Sequence, residues 1–227
     1  MNGRPDTDGH LTVADYDFHL FDLDGTLVDA EWSYTRSVFD QVGERLGHEF
    51  TDREAYVLWN GLGGARGDTL RGLGIDPDEF WPVFHDVEDP LTRAEATSLH
   101  EDAERLLTHV DTVGGPSGVV THCQRFLADP VLDRLDLRDR FDTVLCCTDE
   151  TGWKPDPGPL ERAMADLNVD RQTDRGYYVG DGESDVGAAW NAGLDAVHIE
   201  RIGHENRGRC VLGDRCVSRL DELIASP

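Results

Sequence analysis

Phe21-Asp22-Leu23-Asp24-Gly25-Thr26-Leu27 is the stretch whose reading decides the fold. The apolar residues just before it, Phe18 to Phe21, read as a buried strand, expected over Tyr16 to Asp22. Two carboxylates two residues apart, leaving a strand into a glycine turn, point at one cavity. There they can share a metal ion and divide the roles of nucleophile and acid/base between them. No structural duty explains the pair, because buried carboxylates without partners are costly.

Working outward, Val38, Phe39, Val42 and Leu46 fall at helical spacing between Trp32 and Leu46, and Gly47 follows as a stop. Thr51 and Glu54 make a capping box for a second helix through Leu58. Asp76-Pro77 opens a third, with proline at its first position, and Pro82 is expected to shorten or kink it. Nothing between residues 30 and 96 alternates as a strand does, so this section reads as an all-helical insertion, with Trp32, Trp59 and Trp81 in its core.

Beyond it the pattern changes. A helix from Glu101 to Val110 is followed by strands at Gly118–Thr121, Thr143–Cys147, Tyr177–Val179 and Ala196–Ile199, with helices between them. Short apolar strands alternating with helices predict an α/β fold, a doubly wound parallel sheet covered on both faces. Sites in such sheets lie beyond the carboxyl ends of the strands. The residues there are Asp22, Thr121, Asp181 and the loop carrying Lys154.

From about residue 16 to 199 the chain resembles the haloacid dehalogenase-like hydrolases, mostly phosphatases. Asp22-Leu-Asp24-Gly-Thr26 is similar to their first motif, Asp-x-Asp-Gly-Thr. Thr121 matches the second, a Ser or Thr at a strand end. Lys154 in Trp153-Lys-Pro-Asp-Pro157 matches the third, and it is the single lysine of the chain. Gly180-Asp-Gly-Glu-Ser-Asp185 matches the fourth. The fourth motif alone is weak in so acidic a chain; the order of all four, each after its strand, carries the resemblance.

The resemblance implies a Rossmann-like core over residues 1–29 and 97–227, with 1–14 mobile, and a helical cap over 30–96 of the phosphoglycolate phosphatase type. It implies Asp22 as nucleophile toward a phosphate monoester and Asp24 as acid/base. Thr121 and Lys154 would hold phosphoryl oxygens. Mg²⁺ would be held by Asp22, the Asp24 carbonyl and Asp181, with Asp185 orienting a metal-bound water or Lys154, and Glu183 as a further helper. Asp24 separates phosphoryl chemistry from dehalogenation, whose enzymes lack that second Asp. His122, after Thr121, departs from the small polar residue common there and is a candidate substrate contact. Arg66, in the loop Gly61–Gly67, is a candidate for a substrate carboxylate or second phosphate. Each candidate has a plainer alternative: a Gly-rich surface turn for Arg66, β-branched filler for Thr121, a surface pair with Asp156 for Lys154, and helix capping for Asp181 and Asp185.

Composition narrows the partners. With 46 acidic against 21 basic residues the net charge is −25, spread along the whole chain. No basic stripe exists to neutralise phosphates, which argues against nucleic acid. No apolar run is long enough to span a membrane, and the first ten residues lack a signal core. A cytoplasmic protein acting on a small phosphorylated metabolite is expected. Scattered acidity with one lysine reads as a halophilic surface. The five cysteines, at 123, 146, 147, 210 and 216, imply no disulfides, and with His198 and His204 they fit no usual zinc spacing.

Three other readings compete. A sugar-phosphate mutase shares the fold. A signalling receiver domain uses Asp, Thr, Lys and Mg²⁺, but its phosphorylated Asp follows a later strand and it lacks a helical insertion after the first acidic pair. A catalytically silent relative would be a binding module, against which the intact Asp22, Asp24, Lys154 and Asp181 argue.

Overall fold

β1 (Phe18–Phe21) is buried along its whole length, as a central strand with packing on both faces must be. The structure, a computed structural model, describes residues 12–208 and 210–224. Most of the lead expected to be mobile lies outside them. Its last residues are ordered instead: Thr12 N donates to Asp15 Oδ2 at 2.7 Å, and Val13 is buried in the core.

After β1 the chain makes β2 (Val28–Ala30), then α1 (Trp32–Leu46), α2 (Asp52–Trp59), α3 (Arg66–Gly72), α4 (Pro77–Val87) and α5 (Pro90–Glu95), and returns through β3 (Thr97–Leu99). β2 and β3 pair antiparallel, Val28 opposite Leu99 and Ala30 opposite Thr97, as a two-stranded neck. Helices α1 to α4 enclose an aromatic core that includes Tyr34, Phe39, Phe50, Phe80 and Phe84. The capping box forms as expected, with Thr51 N donating to Glu54 Oε2 at 2.8 Å.

Several expectations for this insertion need correction. α4 runs through Pro82 to Val87. Phe80 and Phe84 stack at 5.3 Å in the cap core, so packing outweighs the one hydrogen bond that proline forfeits. Trp32 is exposed rather than core, resting edge-on against Tyr56. Residues from Arg66 onward are helical, not loop. α5 packs on the α/β side, where Ala94 joins the core beneath the sheet.

The rest of the chain alternates: α6 (Glu101–Val113), β4 (Ser117–Thr121), α7 (Arg125–Arg134), β5 (Thr143–Cys146), α8 (Gly158–Asp166), β6 (Gly176–Gly180), α9 (Glu183–Ala192), β7 (Asp195–Ile199), α10 (His204–Arg207) and β8 (Arg215–Val217). The sheet order is β5-β4-β1-β6-β7-β8, with every pairing parallel. Side chains alternate across it. Phe18, Leu20, Val120 and Tyr178 face α8 and α9; Phe21, Val119 and Val179 face α6 and α7. This is the doubly wound α/β fold expected. Because β1 has β4 on one side and β6 on the other, the winding reverses at β1, and a crevice opens beyond its carboxyl end.

Candidate active site

Asp22 follows β1 directly, and its N–H extends the ladder by donating to Val179 O at 2.8 Å. Its carboxylate is buried. Oδ1 accepts from Lys154 Nζ at 2.7 Å, and Oδ2 accepts from the Thr26 hydroxyl at 3.3 Å. The turn between them requires glycine twice over. Gly25 has φ +75°, and a Cβ there would lie 2.7 Å from Asp181 Oδ2.

Lys154 reaches the same point from the loop after β5. Its ammonium touches Asp22 Oδ1 and Asp185 Oδ1, each at 2.7 Å, and the Tyr178 hydroxyl at 3.0 Å. Burial works against its charge, but Asp185 and Asp22 hold it protonated, well above the ordinary lysine range. The surface pairing with Asp156 does not occur; that carboxylate accepts from Gly158 N. Asp185, in the first turn of α9, has both oxygens engaged, Oδ1 by Lys154 and Oδ2 by Gly182 N at 2.9 Å. Despite burial, Lys154 holds Asp185 below the usual carboxylate range.

Asp181 ends β6 across the crevice. Its carbonyl accepts from His198 Nε2 at 3.0 Å and Arg207 Nη2 at 3.0 Å, which fixes its backbone. Its carboxylate lies against Gly25, half-buried. Burial pushes both Asp22 and Asp181 upward; Asp185 adds to this in each, and Lys154 opposes it at Asp22.

Asp22, Asp181 and Asp185 bring one oxygen each within 4.8 Å of one another, the single acidic, His or Cys cluster of that kind among the described residues. Hard carboxylate oxygens suit Mg²⁺. The fit is best at Asp22 and Asp181: two carboxylates converge there and, among the described residues, the one cation bonded to either carboxylate is Lys154. Asp185 is already taken by Lys154 and Gly182.

Asp24 has a different partner, though its charge is felt at Asp22. Its Oδ1 pairs with Arg93 Nη2 from α5. Thr121 is buried at the end of β4, where its hydroxyl accepts from Cys123 N at 3.0 Å and keeps its own proton for another acceptor. His122 is half-buried against Trp153, its ring centroid 5.6 Å away, and Nε2 has no partner among the described residues. Burial, then the nearby Lys154 charge, pull its imidazole down to about 3, so it is neutral. Arg66 donates to Leu58 O at 2.8 Å and Trp59 O at 2.9 Å, which ties the turn before α3 to the end of α2. Its charge still reaches the crevice, where it opposes the upward push on Asp181.

Two residues of this site escape a reading of the sequence. Tyr178 sits inside a strand whose tyrosines look like core, yet its hydroxyl donates to Val120 O at 2.6 Å beside Lys154. Arg93 follows a short Asp-Pro helix start with no motif around it. The only signal for Tyr178 is a polar atom on a side chain in an apolar run, and Arg93 carries none.

The sequence profile of the haloacid dehalogenase-like hydrolases matches residues 19–199. Phosphoglycolate phosphatase of Cereibacter sphaeroides is 31% identical over 183 residues, covering 77% of this chain and 81% of that protein. N-acetylmuramic acid 6-phosphate phosphatase of Pseudomonas aeruginosa is 28% identical over 190 residues, covering 82% of this chain and 81% of that one. Among solved structures, CbbY of Rhodobacter sphaeroides in complex with phosphate has the same fold, with TM-score 0.69 at 22% identity over 92% of this chain and 96% of that chain. The chain belongs to the haloacid dehalogenase-like hydrolase family.

Proposed function

We propose that the protein hydrolyses a small phosphate monoester, phosphoglycolate-like or a sugar phosphate, through an aspartyl-phosphate on Asp22. As a class it is a phosphoric monoester hydrolase. The observation that carries the reading is the convergence of Asp22, Lys154, Asp181 and Asp185 at the crevice beyond β1.

An Asp22 oxygen attacks phosphorus. The bond to the leaving oxygen breaks, its electron pair stays on that oxygen, and Asp24 supplies the proton. Water then attacks the phosphorus of the aspartyl-phosphate, Asp24 takes the water's proton, and the bond to Asp22 breaks to release phosphate. Lys154 and the Thr121 hydroxyl hold the phosphoryl oxygens, a charge-stabilising role that is usually the largest catalytic contribution. Asp22, the Asp24 carbonyl and Asp181 would hold Mg²⁺, and Asp185 would orient Lys154 or a water on the ion. When bound, Mg²⁺ offsets the repulsion between the Asp22 carboxylate and a phosphate dianion.

On this reading Arg66 and His122 would contact the leaving group, Arg66 from the cap and His122 from the core. A neutral imidazole beside a guanidinium suits a leaving group with a hydroxyl and a carboxylate or second phosphate. The relatives' names support small acidic or sugar esters. No described helix is long and apolar enough to cross a membrane, and we place the enzyme in a cytoplasm of high salt on the strength of its charge of −25.

The test is phosphate release from a panel of phosphoglycolate, sugar phosphates and nucleotides, in molar KCl, with Mg²⁺ and with EDTA. Mg²⁺-dependent release that is lost in Asp22→Asn is the expected result. Interconversion of phosphosugar isomers without release would assign the mutase instead. Neither activity on any ester would leave a binding module.

A further inference from the structure

Arg93 is 4% exposed and sits where the neck meets the cap. Nη2 donates to Asp24 Oδ1, and Nη1 donates to Glu88 Oε1 at 3.4 Å. The guanidinium lies 4.7 Å over the Trp59 ring and 5.7 Å from that of Tyr34. The Tyr34 hydroxyl donates to the same Glu88 oxygen at 3.2 Å. Nε faces no acceptor among the described residues.

The elements on either side matter. α5 packs on α7 of the α/β unit, and the Thr97 hydroxyl ties Arg93 O to β3 at 2.7 Å. The Arg93 backbone therefore belongs to the core side. Tyr34 and Trp59 belong to cap helices, and Glu88 ends α4. One planar, permanently charged fork holds the acid/base carboxylate at one end and three cap side chains at the other.

We propose that Arg93 is a positioning residue for Asp24: its guanidinium fixes the Asp24 carboxylate, and the packed cap, through Trp59, Tyr34 and Glu88, fixes the guanidinium. Proton transfer to the leaving oxygen is then efficient only with the cap seated on the core. This rests on the reading of Asp24 as acid/base. A buried ion pair that only fastened the cap would slow phosphoenzyme formation from all substrates alike. A residue that aims a proton donor matters most when the leaving group needs the proton.

Leaving-group dependence separates the two. An alkyl phosphate leaves as a strongly basic alkoxide and needs protonation; p-nitrophenolate leaves without it. Both esters are assayed on one preparation, so their ratio is independent of how much of it is folded. In Arg93→Gln, kcat/KM, which reads only the steps through phosphoenzyme formation, should fall about 100-fold for the alkyl ester and less than about fivefold for p-nitrophenyl phosphate. Asp24→Asn should show the same selectivity, and Arg93→Lys should recover part of the alkyl rate. Trp59→Leu, which removes only the cap's side of the contact, is the second variant and should show a smaller loss of the same selectivity. Equal losses on both esters, or an undiminished alkyl rate, would overturn the proposal. The underlying reading fails separately, if Asp22→Asn still turns over either ester.

Discussion

The Lys154 ammonium lies 2.7 Å from Asp22 Oδ1, both groups buried where neither charge would survive alone. Asp185 completes the arrangement at the same distance on the other side. Replacing Lys154 by methionine leaves Asp22 and Asp185 facing each other without a cation, and one of them must take up a proton. The expected outcome is a loss in kcat of about 10²–10³ with a lowered urea midpoint. Steady-state kinetics and equilibrium unfolding of Lys154→Met check both.

Asp24 is engaged by Arg93, and its charge is felt at Asp22. If it serves both half-reactions, Asp24→Asn slows protonation of the leaving group and activation of the water. With an ester whose leaving group needs no proton, the first step survives and the second does not. Rapid quench with such an ester should therefore trap an acid-stable, hydroxylamine-labile phosphoenzyme. Undiminished steady turnover would remove Asp24 from both steps.

Tyr178 is buried, and its hydroxyl links Lys154 to the backbone of β4. Tyr178→Phe keeps the ring's packing and removes one donor. Val120 O then loses its short bond, at a cost of about 1–3 kcal/mol. Lys154 loses a partner, so kcat should fall about tenfold with KM little changed. A change confined to KM would mean that the hydroxyl serves substrate binding rather than Lys154.

The same residues show why some of this was legible in sequence and some was not. Asp22, Thr121 and Asp181 each stand at a strand end and Lys154 in the loop after one, and a run such as Gly118-Val-Val-Thr121 announces its strand by composition. The glycines announce turns: Gly47 and Gly193 end α1 and α9 with φ +69° and +80°. The neck strands and β8 are three residues each, too short for period-two alternation to register. α5 has six residues and no apolar stripe of its own, so the packing that defines it comes from α7. Arg93 was hidden for the same reason, since its partners Asp24, Glu88 and Trp59 are brought together only by the cap's return to the core. The role of Arg66 in tying its own turn to Leu58 and Trp59 likewise depends on two carbonyls whose direction no motif encodes.

Two buried histidines make part of the fold's stability sensitive to acid above the ordinary carboxylate range. Burial lowers His19, although its Nε2 contact with Gly114 O pulls the other way. Burial and the Arg201 charge lower His100, against the pull of Asp102. Both are held neutral when folded, while in the unfolded chain each takes a proton near pH about 6.5. A folded value below the unfolded one contributes stability that is complete above about 6.5 and is lost as the pH falls from there through the folded values. The contribution of these two histidines to the urea midpoint should therefore decline between pH 7.5 and 5.5, against the opposite slope from the raised carboxyls of Asp22 and Asp181. In His19→Gln, which keeps a donor for Gly114 O and cannot titrate, the decline should be shallower. An identical slope would remove His19 as a contributor.

Salt should act in the opposite sense to its effect on an ordinary protein's surface pairs. Arginines such as Arg138 and Arg140 each already serve two carboxylates, Asp129 and Asp133 in one case, Glu104 and Asp111 in the other. Exposed pairs of this kind contribute about 0–1 kcal/mol each, and screening takes that away. The excess of 46 acids over 21 bases remains, and its self-repulsion destabilises the compact chain. At molar salt the Debye length is about 3 Å, so this repulsion is screened. Because the repulsion is summed over the whole surface while each exposed pair contributes little, its relief should win. The urea midpoint and the rate of phosphate release should both rise from dilute buffer to molar KCl. Full stability and activity in dilute buffer would end the halophilic reading. A rise matched by sucrose in place of KCl would assign the gain to exclusion of solute from the surface rather than to charge.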